Sequence, residues 1–183
     1  MLNLTFGRDA EVARWVGERI GIDDFGPCAA IGVVDDGAPV AGIVYSGWRD
    51  RPGALEMSIA ASSPRWCRRW VLEAAFRYPF EQLGARRVQA TIRRGNRTAR
   101  RFVERLGFRY EGMAREAWPT GEDAALYSML RRECRWTGDR HGKESPQTAP
   151  RTGPRGAGRR PGSGQPDQPV HPAGQFALRQ GER

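Results

Sequence analysis

Apolar residues recur along the first 135 or so positions with two alternating periods, and the switches between them mark out the elements. In AEVARWVGERI, Val12, Trp15, Val16 and Ile20 fall at helical spacing, with Asp9 placed as the helix cap. Cys28 to Val34 and Pro39 to Tyr45 then read as two strands around Asp35-Asp36-Gly37, a hairpin signal. A third strand, Leu55 to Ala61, follows the loop Asp50-Arg51-Pro52-Gly53. The next pattern predicts a long helix beginning near Pro64 to Trp66 and stopping at Gly84, with Trp70, Val71, Ala74, Ala75 and Tyr78 on or near one face. Pro79 lacks the amide hydrogen the helix needs and should kink or break it. Arg87 to Ile92 alternates as a strand. Asn96 caps a further helix carrying Ala99, Phe102, Val103 and Leu106 and ending at Gly107. Phe108 to Trp118 and Ala124 to Arg131 complete the set as strands joined by Pro119-Thr120-Gly121. The order α-β-β-β-α-β-α-β-β predicts an α/β sandwich with a mixed sheet.

Composition changes the picture beyond about Thr137. The remainder, as in ESPQTAPRTGPRGAGRRPGSGQPDQPVHPAGQ, has almost no aliphatic or aromatic residues to offset the entropy of ordering. Residues 1–136 are therefore expected to form the folded domain and residues 137–183 a disordered Gly/Pro/Arg-rich tail. The tail holds eight Lys+Arg against four Asp+Glu, so nearly half of the formal charge of +9 sits there. Such a tail can hold nucleic acid through phosphate contacts, although it lacks interleaved aromatics for base stacking. The positive charge is carried almost wholly by arginine, Lys143 being the only lysine. That balance suits acidic partners, and a GC-rich genome would equally produce it.

The chemistry available is bounded by what is scarce. Both histidines, His141 and His171, lie in the tail, which excludes a His-based triad or a His-ligated metal from the folded part. Cys28, Cys67 and Cys134 are odd in number and widely spaced, matching neither a disulfide framework nor a metal motif. No metal is expected. No run of 18 apolar residues occurs, and MLNLTFGRDAEVARW has neither a basic n-region nor an apolar h-region, so a cytoplasmic protein without membrane attachment is expected.

The element order, together with Asn96-x-x-Ala99-x-x-Phe102-x-x-x-Leu106-Gly107-Phe108, resembles the GNAT acyltransferase superfamily. The following Tyr110-Glu111-Gly112 resembles its ribosomal-protein-acetylating branch and phage-encoded relatives. The resemblance covers roughly residues 5 to 132. It implies a mixed, mostly antiparallel sheet flanked by helices and splayed at the coenzyme site. It also implies acetyl-coenzyme A as co-substrate and a primary amine, a protein N-terminus or a small amine, as acceptor. The pantetheine amides would pair with the third strand at Ser58, Ile59, Ala60 and Ala61, satisfying backbone groups orphaned by the splay. The pyrophosphate would meet the opening of the long helix, Arg65, Trp66, Cys67, Arg68, Arg69 and Trp70, with Asn96 also near the coenzyme.

The chain departs from the family at that opening. The usual phosphate motif is Gln/Arg-x-x-Gly-x-Gly/Ala. Starting it at Cys67 puts Trp70 and Leu72 at the glycine positions, and starting at Arg65 puts Arg68 and Trp70 there. Either the helix start is turned so that these side chains point inward, with Trp70 on the core face and the phosphate approach open, or coenzyme binding is weakened or lost. Glu56 is the implied base, with backbone amides near Ile59 and Ala60 for the thioester carbonyl. The family's frequent acid tyrosine falls at Val103, so Ser58, Tyr45 and Tyr127 are the substitutes considered. Tyr45, Trp48, Glu111, Glu116 and Trp118 are expected around the acceptor. The alternative reading is a GNAT-like domain without catalysis whose arginines or basic tail contact nucleic acid or a protein. Either a monomer or a homodimer fits these expectations.

Overall fold

The computed structural model describes residues 1–118, 120–138 and 176–178. Strand β1 (Leu2–Thr5) leads into helix α1 (Asp9–Ile20), followed by β2 (Cys28–Asp35), β3 (Ala38–Arg49) and β4 (Ala54–Ala61). A single 3-10 turn, Pro64–Trp66, precedes helix α2 (Arg69–Arg77), then β5 (Arg87–Arg93), helix α3 (Arg97–Leu106), β6 (Arg109–Ala114) and β7 (Ala124–Leu130). Strand β8 (Phe176–Leu178) lies in the same compact unit as residues 1–137. The sheet order is β1-β2-β3-β4-β5-β7-β6, with β8 added against β4. All pairs are antiparallel except β4 with β5 and β4 with β8. The expected mixed, mostly antiparallel α/β sheet is therefore the one observed.

Alternation along the strands sorts side chains to two faces. Met57, Ile59, Ile43 and Val88 join the larger core with Val71, Leu72, Ala75 and Phe76 of α2 and Ala99, Val103 and Leu106 of α3. Ala30, Val44 and Ala60 point the other way and pack under Ala13, Val16 and Ile20 of α1. That helix sits close because Gly42 has no side chain: a Cβ there would lie 2.5 Å from Val16 Cγ2. The α3 string behaves as predicted. Asn96 Oδ1 accepts from the Ala99 amide at 3.0 Å, and Gly107 closes the helix at φ +110°.

Several elements differ from expectation for identifiable reasons. Strand β1 was not predicted; four residues carry little periodicity, and its place comes from register with Gly32 to Asp35 of β2. Asp9 opens α1 but does not cap it. Arg8 occupies the cap position, and the Asp9 carboxylate accepts from the Ala30 amide at 2.6 Å, tying helix to sheet. The long helix is divided. Its 3-10 turn ends at Trp66, α2 starts at Arg69, and beyond Arg77 a wider π turn (Tyr78–Gln82) absorbs Pro79. There Leu83 N donates to Tyr78 O across five residues. The buried stripe of α2 is Val71, Leu72, Ala75 and Phe76, one residue on from the stripe predicted. Strand β6 ends at Ala114 rather than Trp118, and its register with β7 shifts between Tyr110 and Gly112. The expectation for residues 137–183 lies mostly outside the described residues, and Phe176–Leu178 within it form β8.

Candidate functional site

The site begins where two parallel strands part. β4 and β5 pair only at Ala54↔Arg87, Leu55↔Val88 and Glu56↔Gln89. Beyond that point β5 continues to Arg93 on β7, and β4 continues to Ala61 on β3. The edge of β4 facing β5 is thus released after Glu56, although Met57 to Ala61 are all buried. This is the splay expected at Ser58, Ile59, Ala60 and Ala61. Its backbone groups need partners, because a buried amide or carbonyl left unpaired is costly.

Just past the splay the chain turns into a helix start. Ser63 Oγ accepts from Arg65 N at 3.3 Å, Cys67 N donates to Pro64 O at 3.1 Å, and Arg68 N donates to Trp66 O at 2.8 Å. Leu72 N is the first to bond back, to Arg68 O at 3.1 Å. The amides of Arg69, Trp70 and Val71 have no acceptor within the helix and carry its positive dipole end. Arg65, Arg68 and Arg69 are exposed around them, Arg69 also pairing with Glu73. Trp70 does not face the core. It is 45% exposed, whereas Trp66 is buried against Phe102 at 5.9 Å between ring centroids. The break between the 3-10 turn and α2 causes this. It resets the helical phase, so that Trp66 rather than Trp70 takes the inward direction.

At the mouth of the splay Glu56 is 7% exposed and Ser58 is fully buried. Ser58 Oγ has no hydrogen-bond partner among the described residues. Register places Glu56 in a polar row that crosses the sheet: Cys28, Ser46, Glu56, Gln89 and Ser128 pair in sequence across β2, β3, β4, β5 and β7. Ser46, Gln89 and Ser128 were not singled out from the sequence. The available signal was a polar residue within an apolar run, as Gln89 in RVQATIR and Ser128 in AALYSML.

The substitute acids fare differently. Tyr45 is buried and its hydroxyl donates to Ala75 O at 2.6 Å, which places it in the core against α2; burial pushes its pKa well up. Tyr127 donates to Glu104 Oε1 at 2.9 Å and accepts from Arg100 Nε at 3.1 Å. Val103 is buried on α3. Of the candidates only Ser58 has a hydroxyl free of such a partner.

The expected acceptor residues do not form one wall. Trp48, 43% exposed, donates to Asp50 near the β3–β4 connection, at the end of the sheet where Ala54 meets Arg87. Trp118 is buried under the Arg93 guanidinium, 5.0 Å from its ring, at the other end of β5. Roughly 20 Å of strand separates Arg87 from Arg93. Glu116, at φ +49°, belongs to the turn after β6, where its amide donates to Asp123. Glu111 is nearer the polar row. Arg87 grips its carboxylate with two nitrogens, and Ser128 Oγ donates to it. The Arg87 hydrogen bonds, helped by Ser128 and opposed by partial burial, hold the Glu111 carboxyl down at about 2 against an ordinary 4.5. It is therefore an anion throughout the neutral range. Among the described residues no group of three or more His, Cys, Asp or Glu is placed to hold a metal. Nor is any helix among them long and apolar enough to cross a membrane.

The sequence profile of the acetyltransferase (GNAT) family matches residues 6–108, and the chain belongs to that family, whose members are N-acetyltransferases using acetyl-coenzyme A. Among solved structures it is similar to mutant forms of the spermidine/spermine N-acetyltransferase SpeG from Vibrio cholerae. That match has 14% identity and a TM-score of 0.59, and covers 72% of this chain and 96% of that one. It is also similar to the ribosomal-protein-S5-alanine acetyltransferase from Vibrio fischeri. Here identity is 19% and the TM-score 0.51, covering 61% of this chain and 64% of that one. These likenesses extend the fold assignment. No curated protein matches the chain.

Proposed function

We propose that this chain moves an acetyl group from acetyl-coenzyme A to a primary amine, a protein N-terminus or a small amine. The proposal rests on the parting of β4 from β5 after Glu56, which sets buried Glu56 and Ser58 beside a strand edge that β5 no longer pairs and ahead of a helix start. The coenzyme supplies the acetyl thioester. Main-chain groups of Ser58 to Ala61 hold its amide arm, and the amides opening α2 with Arg65, Arg68 and Arg69 hold its phosphates. Backbone N–H groups near Ile59 and Ala60 polarise the thioester carbonyl. Glu56 takes the proton that a cationic amine must lose before it attacks. Ser58 is the hydroxyl nearest in sequence to return a proton to the departing thiolate. Asn96 supports the site through α3, since its side-chain oxygen serves the helix cap. Glu111, held by Arg87 and Ser128, fixes the end of the polar row beside β6.

Exposed Trp70 favours a second reading, a binding domain that no longer takes coenzyme, because its bulk stands beside the phosphate approach. The two part in a transfer assay. Free thiol released from acetyl-coenzyme A is followed with spermidine, an alanine-initiated peptide and other primary amines as acceptors. Thiol release that depends on an amine and yields its acetylated product is expected. No release above the protein-free rate with any amine would leave the binding reading.

A further inference from the structure

The released edge of β4 is occupied by the chain itself. Strand β8 runs parallel to β4 with Ile59↔Phe176, Ala60↔Ala177 and Ala61↔Leu178, and its backbone also approaches β5, α1 and α3. It therefore lies inside the splay, between the two strands that part, and not along an outer edge of the sheet. We infer that strand β8, Phe176–Leu178, is an autoinhibitory strap that competes with the coenzyme's amide arm for the backbone of Ile59–Ala61.

The reasoning is one of hydrogen-bond capacity. Each residue of β4 offers one N–H and one C=O, and alternate residues turn these toward opposite neighbours. Ser62 N donates to Val40 O, so Ala60, two residues back and in register with Gly42, turns its groups to β3, while those of Ile59 and Ala61 face the other side. The groups on the other side serve β8 or an amide-bearing ligand, and the two cannot hold them together. Strand addition of this kind draws affinity from the main chain. Three residues make a short ladder, so the strap is displaceable. Its attachment to the same chain raises its effective concentration enough to matter. The inference rests on the coenzyme reading above for the identity of the competitor.

The test uses the full chain and two variants, Ala177→Pro and Leu178→Pro. Successive amides in a strand point to opposite sides, so one of the two prolines removes a ladder donor or places its ring against β4. Acetyl-coenzyme A affinity is measured by calorimetry, and hydrogen exchange is followed across residues 58–62 without ligand. The strap predicts that at least one variant binds acetyl-coenzyme A about 3- to 30-fold more tightly than the parent. The same variant should lose protection over 58–62. A peptide of residues 172–183 added to that variant should restore the parent affinity. Coenzyme binding that is equal or weaker in both variants overturns the strap and leaves the transferase reading standing. Absence of coenzyme binding in all three proteins overturns the transferase reading and the competition with it. Unchanged exchange over 58–62 in both variants overturns the pairing whatever the coenzyme does.

Discussion

Replacing Glu56 with glutamine is expected to slow acetyl transfer at neutral pH by about 10²- to 10⁴-fold, the usual contribution of a positioned general base. Coenzyme affinity should stay near the parent value. A primary amine with a pKa near about 10.4 is almost wholly protonated at neutral pH and cannot attack a thioester in that form. Glu56 is buried at the point where β4 leaves β5, in line with Gln89 and Ser128, and is the carboxylate of that polar row. Glutamine keeps the shape and some of the hydrogen bonding but takes no proton. The deficit should narrow as pH rises toward the amine's own pKa, where hydroxide does the work of the base. A purely structural role would give a pH-independent deficit together with a lower unfolding midpoint. Full activity in the variant at neutral pH would remove Glu56 from the mechanism.

Phe76→Ala is expected to cost about 3–5 kcal/mol of folding stability, the range for deleting a buried aromatic ring. Phe76 is 1% exposed. Its ring meets Phe80 at 6.3 Å, Phe108 at 6.0 Å and Trp136 at 6.3 Å between centroids. It thus ties α2 to the short stretch of chain between Gly107 and β6, and to Trp136. Domains of this size are stable by about 5–15 kcal/mol, so the loss takes a large share of the total. Urea unfolding of the two proteins measures it, and Trp70→Ala serves as the control. Trp70 lies on the same helix but faces solvent, so its removal should change stability by only about 0.5 kcal/mol. Comparable losses in the two variants would show that the phase of α2 is wrong.

What the sequence disclosed followed the range of the interactions involved. The β2–β3 hairpin was legible because Asp36 and Gly37 adopt positive φ, as a tight two-residue turn demands. The cap and stop of α3 were legible because Asn96 and Gly107 each act within a single turn of helix. The facing of α2 was not. A 3-10 turn and a two-residue break precede it, and a phase change of one residue, about 100° around the axis, exchanges inward and outward positions. The resemblance located the splay on β4, but the polar row depends on register among strands that are distant in sequence. Trp48 and Trp118 illustrate the same limit, since both are aromatic and near strand ends, yet the topology sends them to opposite ends of the sheet. Strand β8 was illegible for another reason. Three residues in a Gly- and Pro-rich setting carry no periodicity, and they become a strand only because β4 presents an unfilled edge.

On this reading the split between β4 and β5, with the helix start beyond it, takes the coenzyme despite the side chains that replace the usual glycines. Thermal unfolding of the full chain with increasing acetyl-coenzyme A, and in parallel with desulfo-coenzyme A, tests it most directly. A ligand that binds only the folded state stabilises it by about 2.7 kcal/mol at 100 times its dissociation constant. The midpoint is expected to climb by several degrees and to keep climbing with concentration for both ligands, because the amide arm and phosphates carry the binding. A midpoint unmoved by millimolar concentrations of either would contradict it.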